Sequence, residues 1–150
     1  MSETQPSFSI EKLYVKDLSL EIPNAPQVFL EAASPELDVQ VRNESTPFGD
    51  GLYEVVVTVT VTARSGEKTL FLAEAAQAGI FAIRGVPEGE MDPLLGIVCP
   101  TVVYPYVRET ISDVVIRGGF PPVVLAPVSF EALYAQRAQD AAGPKIELVQ

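Results

Sequence analysis

The chain has 150 residues, one cysteine, no tryptophan, no histidine and a formal net charge of −10. Its length and its 47% hydrophobic content are those of one folded domain with a sizeable core, and they exclude a disordered chain. The acidic balance repels nucleic-acid phosphates and anionic lipid and favours cationic partners, though it also serves plain solubility. Without histidine no Ser-His-Asp or Cys-His arrangement can form, and one cysteine excludes ordinary zinc sites.

Residues Met1 to Pro6 carry neither a basic nor an apolar segment, so no signal peptide is expected. The expected compartment is the cytoplasm, where a lone Cys99 stays reduced. Residues 1–7 are expected to be flexible. A first strand runs from Phe8 to Ile22, with clear alternation only from Asp17 on: Asp17, Ser19 and Glu21 fall on one face, and Leu18, Leu20 and Ile22 on the other. Pro23-Asn24-Ala25-Pro26 breaks it. A short second strand is predicted from Leu37 to Arg42, followed by a polar loop from Asn43 to Gly51 with Pro47 and Gly49. The glycosylation pattern Asn43-Glu44-Ser45 lies in that loop and is read as chance, since no secretory signal accompanies it.

The clearest strand is Leu52 to Arg64. Tyr53, Val55, Val57, Val59 and Val61 form its apolar face, and Glu54, Thr58, Thr60 and Thr62 the other, interrupted by Val56. Ser65-Gly66 reads as a hairpin turn, and Lys68 to Ile83 as the returning strand. The pattern predicts an antiparallel sheet with one wet and one buried face.

From Met91 to Arg117, Leu94, Leu95, Val98, Val102, Tyr106, Ile111, Val114 and Val115 approximate a helical stripe. Pro93 suits a first turn, while Pro100 and Pro105 are expected to kink or interrupt the helix, and Gly118-Gly119 to end it. Phe120 to Pro127 must be extended. Ser129 is a candidate N-cap for a last helix with Phe130, Leu133, Tyr134 and Arg137 on one side. The tail at 143–150 is expected to be loose. Strands followed by helices define an α+β fold.

There is no P-loop and no dinucleotide fingerprint, and Glu88 and Glu90 are better explained as solvated turn residues than as acid–base catalysts. Cys99 reads as a small buried hydrophobe rather than a nucleophile. Two features carry functional information. With Asp17 and Glu21 on one strand and Leu72, Glu74 and Ala76 on another, the wet face becomes a patch of carboxylates around an exposed leucine, suited to a basic partner or to ordinary solvated decoration. The long helix also carries Ile97, Val103 and Val107 beside its stripe. Such an all-round apolar surface asks for a helix-mediated homo-oligomer, unless the prolines bend it onto its own core.

Taken in order, the segments Leu13-Tyr14-Val15-Lys16-Asp17, Glu21-Ile22-Pro23-Asn24-Ala25-Pro26, Tyr53-Glu54-Val55-Val56, Phe71-Leu72 with Glu74, Gln77, Gly79-Ile80-Phe81, Cys99-Pro100, Pro105-Tyr106, Arg108-Glu109, Arg117-Gly118 and Leu125-Ala126-Pro127-Val128 resemble the SecB family of protein-export chaperones over residues 8 to 135. The resemblance implies a chaperone domain over 8–142. Its architecture is a four-stranded antiparallel sheet with one face packed by a long helix and a short final helix, assembled as a dimer-of-dimers tetramer.

It implies no enzyme, no cofactor and no metal. The implied function is a cytoplasmic, ATP-independent holding chaperone that keeps unfolded precursor proteins translocation-competent and delivers them to the SecA motor, without binding nucleic acid or inserting into the membrane. By resemblance Asp17, Glu21, Leu72 and Glu74 dock SecA, and Phe71, Gln77, Phe130, Leu133 and Tyr134 lie near the client groove. The interface between subunits takes in Leu95, Val98, Cys99, Val102 and Tyr106. Some relatives carry tryptophan where this chain has Ala33, which makes one groove wall shallower. The rival readings are a SecB-like chaperone dedicated to an antitoxin, a small-ligand protein with a pocket on the curved sheet, and a cofactor-free enzyme.

Overall fold

The computed structural model describes residues 5–31 and 34–141. Ala33, residues 1–4 of the expected flexible N-terminus and the 143–150 tail lie outside the described residues.

Four long antiparallel strands, β1 (Ser7–Glu21), β2 (Glu36–Gly49), β3 (Leu52–Ser65) and β4 (Lys68–Arg84), form one sheet in the order β1-β4-β3-β2. β3 and β4 are central because their Val, Ala and Phe residues tolerate burial on one or both sides. Val55, Val57, Val59 and Val61 are all fully enclosed, as the alternation predicts. The β3–β4 hairpin turns at Gly66-Glu67, one residue later than Ser65-Gly66, with Gly66 at a φ of 63° that only glycine takes without strain.

β1 pairs with β4 and shifts register between Ile10 and Lys12 and again between Val15 and Asp17. Each extra residue flips the side-chain parity, which is why alternation is clean only from Asp17 onward. β2 is longer than the Leu37–Arg42 expectation. Asn43 to Gly49 is not a loop but pairs with Leu52 to Val57, with an irregularity between Pro47 and Gly49. Pro47 is tolerated because β2 is an edge strand, where a missing N–H breaks no ladder bond on the open side.

The helical half begins at Glu88, before Met91. α1 (Glu88–Pro93) leads through a π turn, Leu94–Val98, into α2 (Cys99–Arg117) without a break. Pro93 therefore closes α1 rather than opening a helix, and Glu88 and Glu90 occupy its acidic first turn, where they favour the helix dipole. Pro100 sits just after the wider π turn, at the start of α2. Pro105 is carried inside α2 on the exposed side, so it does not end the helix. Gly119, with φ 91°, terminates α2 while the Phe120 N–H donates to the Val115 carbonyl.

The buried stripe of α2 is Cys99, Val103, Val107, Ile111, Val114 and Val115, packed on β3 and β4. Val103 and Val107, which looked like the surplus side, belong to the core, and the surplus lies on Val98, Val102 and Tyr106. Phe120 to Ser129 runs extended with Val123 and Leu125 inward. Ser129 caps α3 (Phe130–Ala141), its Oγ accepting the Ala132 N–H at 3.1 Å. α3 lies against the π turn, with the Tyr134 ring covering Gly96.

Candidate functional site

The sheet face opposite the helices is assembled by register. One cross-strand row reads Glu21, Leu72, Thr62, Asp38; the next Ser19, Glu74, Thr60, Gln40; the next Asp17, Ala76, Thr58, Arg42. Asp17, Glu21, Leu72 and Glu74 thus come together on one open face, over adjacent strands β1 and β4. Asp17 and Glu21 are exposed, whereas Leu72 and Glu74 are half-buried between their neighbours.

The face is not purely acidic. Arg42, on the far edge strand, reaches Glu74 with Nη2–Oε2 at 3.4 Å. Further along, Lys16 lies 2.9 Å from both oxygens of Glu54, and the Tyr14 hydroxyl donates to the same carboxylate. Those two bonds, from Tyr14 first and Lys16 second, hold the Glu54 carboxyl below its ordinary value. Burial, aided by the Glu54 hydrogen bond, pushes the Tyr14 phenol up to about 12. Neither Arg42 nor the Tyr14–Glu54–Lys16 cluster was singled out in the sequence. Only the register across three strands brings Arg42 to Glu74.

On the other side of the protomer, the π turn and α2 together present an uncovered apolar stripe. Val98 is 42% exposed and Tyr106 48%, with Ile116 continuing the line and Leu95 and Val102 half-buried beside it. Cys99 is not on that stripe; it is enclosed in the protomer core, and burial pushes its thiol up to about 12.

The remaining five sequence-derived site residues do not form one surface in the protomer. Phe71 is buried under Phe120, with ring centroids 4.8 Å apart, and Phe120 in turn meets the exposed Phe29 at 5.2 Å. Gln77 is buried on the helix-facing side of β4, where its Oε1 accepts from Thr110 Oγ1 at 3.4 Å. Phe130 is buried edge-on to Tyr104. Leu133 and Tyr134 reach the surface, Tyr134 donating to Asp92 at 3.0 Å. Tyr134 borders a cleft of about 280 Å³ with Asn43, Glu44, Asp92, Leu95 and Gly96. Among the described residues no helix is long and apolar enough to cross a membrane.

A four-stranded antiparallel sheet backed on one face by a long helix and a short final one is the fold of a SecB-like chaperone. A SecB-like chaperone of Mycobacterium tuberculosis, solved in complex with a ChAD peptide from the HigA1 antitoxin, superposes with a TM-score of 0.66 at 17% identity, covering 81% of this chain and 90% of that one.

The sequence comparison is narrower. The family model described as preprotein translocase subunit SecB matches residues 1–141. The protein-export protein SecB of Chromobacterium violaceum is 62% identical over 140 residues, 93% of each chain. That of Methylobacillus flagellatus is 59% identical over 140 residues, 93% of this chain and 89% of its own. The chain belongs to the SecB family of protein-export chaperones.

Proposed function

We propose that this chain is an ATP-independent holding chaperone of the cytoplasm that binds unfolded precursor proteins, keeps them translocation-competent and delivers them to SecA. The observation that carries this reading is the convergence of Asp17, Glu21, Leu72 and Glu74 on one open sheet face, away from the helices. A cationic tail segment of SecA docks there by charge complementarity, with Leu72 supplying the apolar contact.

The client side uses different physics. Leu133 and Tyr134 offer apolar surface directly, while Phe71 is reached by displacing the Phe29 and Phe120 rings stacked above it. Gln77 and Phe130 are buried against Thr110 and Tyr104 and take part only if the helices shift. Burial contributes about 25 cal/mol per Å² whatever the client sequence, so promiscuity follows from nondirectional contact. The outer stripe of Leu95, Val98, Val102 and Tyr106 pairs protomers into a dimer of dimers, with Cys99 packed behind it. The chain acts without cofactor or catalysis.

The test is refolding of a secretory precursor diluted from denaturant, without nucleotide. Stoichiometric chaperone should arrest it, and later SecA should restore release. Unchanged refolding at excess chaperone would refute the reading. A second reading, service to an antitoxin, draws on the peptide held by the Mycobacterium tuberculosis relative. The 62% and 59% identity to protein-export proteins favours export.

A further inference from the structure

Arg42 stands where the docking face would be expected to present only carboxylates. It sits on the exposed edge strand β2, in the row with Thr58, Ala76 and Asp17, yet its guanidinium meets Glu74 on β4, one row along and two strands away. With strands spaced about 4.8 Å, the Arg42 and Glu74 side chains together bridge roughly 10 Å across β3. The small Thr58 and Ala76 side chains in its own row leave that path open. The contact is a single one at 3.4 Å, and both partners are wet: the Arg42 side chain is 69% exposed and that of Glu74 38%. It is an exchangeable pair rather than a structural one. Lys16, also on this face, is committed to Glu54 at 2.9 Å. Among the described residues Asp17 and Glu21 hold no ion pair.

We propose that Arg42 is a built-in competitor for the docking carboxylate: its guanidinium occupies Glu74 until a cationic segment of the partner displaces it, and so it sets the affinity and salt dependence of docking. This rests on the docking reading above. The physical logic is mass action within the molecule. A basic side chain of the partner gains the Glu74 contact only after the internal contact is given up, so net affinity is the difference between two similar pairs. Asp17 and Glu21, having no internal cation, give their full attraction to the incoming segment. Because Arg42 is itself exposed at the sheet edge, its removal disturbs no core packing.

The experiment is a double-mutant cycle on purified SecA binding at low salt, with Arg42→Gln, Glu74→Gln and the double variant, and far-ultraviolet circular dichroism to confirm the fold of each. An exposed pair of this kind predicts that Arg42→Gln tightens binding by about 1.5- to 5-fold. The same change made on the Glu74→Gln background should leave binding nearly unchanged, and Arg42→Lys should stay close to the parent. Weaker or equal binding by Arg42→Gln overturns the proposal. Equal tightening on both backgrounds also overturns it, because the effect would then be the general field of the face rather than occupancy of Glu74. The docking reading fails separately, if the double variant binds SecA as tightly as Arg42→Gln alone.

Discussion

The same substitution, glycine to alanine, should act with opposite sign at two places in this fold. At Gly79, in the middle of β4 and facing the helices, an added Cβ would lie 2.8 Å from Phe81 Cε1 and 3.2 Å from Leu13 Cδ2. Ordinary contact begins near 3.4 Å, so the Phe81 ring must retreat by about 0.6 Å. Phe81 is fully enclosed and already stacked on Phe8 at 5.6 Å, which leaves the ring nowhere free to go. Overpacking of a dense core costs about 1–3 kcal/mol. Alanine recovers about 0.5–1 kcal/mol of backbone entropy in a strand. The net expectation is a loss of about 0.5–2 kcal/mol.

At Gly89, in the first turn of α1, nothing lies within 4 Å of the added Cβ, and alanine should stabilise by about 0.4–1 kcal/mol. Urea unfolding at one fixed protomer concentration reads both, since stability depends on concentration wherever subunits associate. Shifts of the midpoint in the same direction for the two variants would refute the packing argument, as would a Gly79→Ala protein more stable than the parent.

Other outcomes follow from the charges and the thiol. Glu74→Lys replaces the carboxylate under Arg42 with a second cation and should weaken SecA binding, with added salt weakening the parent similarly and client binding retained; parent-like SecA affinity at low salt would contradict the docking assignment. Glu54 has its carboxyl held below the ordinary 4.5, so its contribution to stability is present above that pH and is lost as pH falls through the depressed value. The stability difference between parent and Glu54→Gln should therefore close on acidification, and thermal melts across that window that keep a constant gap would argue against it. Cys99, enclosed and with its thiol pushed up to about 12, should resist maleimide in the native protein at neutral pH and react promptly in denaturant.

How far the sequence discloses this molecule depends on how local the physics is. β3 is legible because its valines and threonines alternate with Val56 as the one interruption, and the period of two then places Leu72 and Glu74 on the same open face as Asp17 and Glu21. The Ser129 cap and the Gly118-Gly119 stop are equally local. The second half of β2 is not legible, since an edge strand needs no hydrophobic rhythm and can hold Asn43, Ser45 and Pro47 on backbone pairing with β3. The unbroken course of α1, the π turn and α2 escapes a reading that expects Pro100 and Pro105 to kink or interrupt the helix, because the wider turn before Pro100 and the exposed setting of Pro105 absorb the missing donors. Which helix stripe meets the sheet is a tertiary choice between two apolar sides. The Arg42–Glu74 contact needs the register of three strands at once.

The account stands most directly on size-exclusion chromatography with light scattering of the purified protein, alone and mixed with one secretory precursor, unfolded in one sample and native in another. It predicts a free species near 65 kDa, four copies of a 16.2 kDa chain, that shifts only with the unfolded precursor. A monomer that ignored both forms would contradict it.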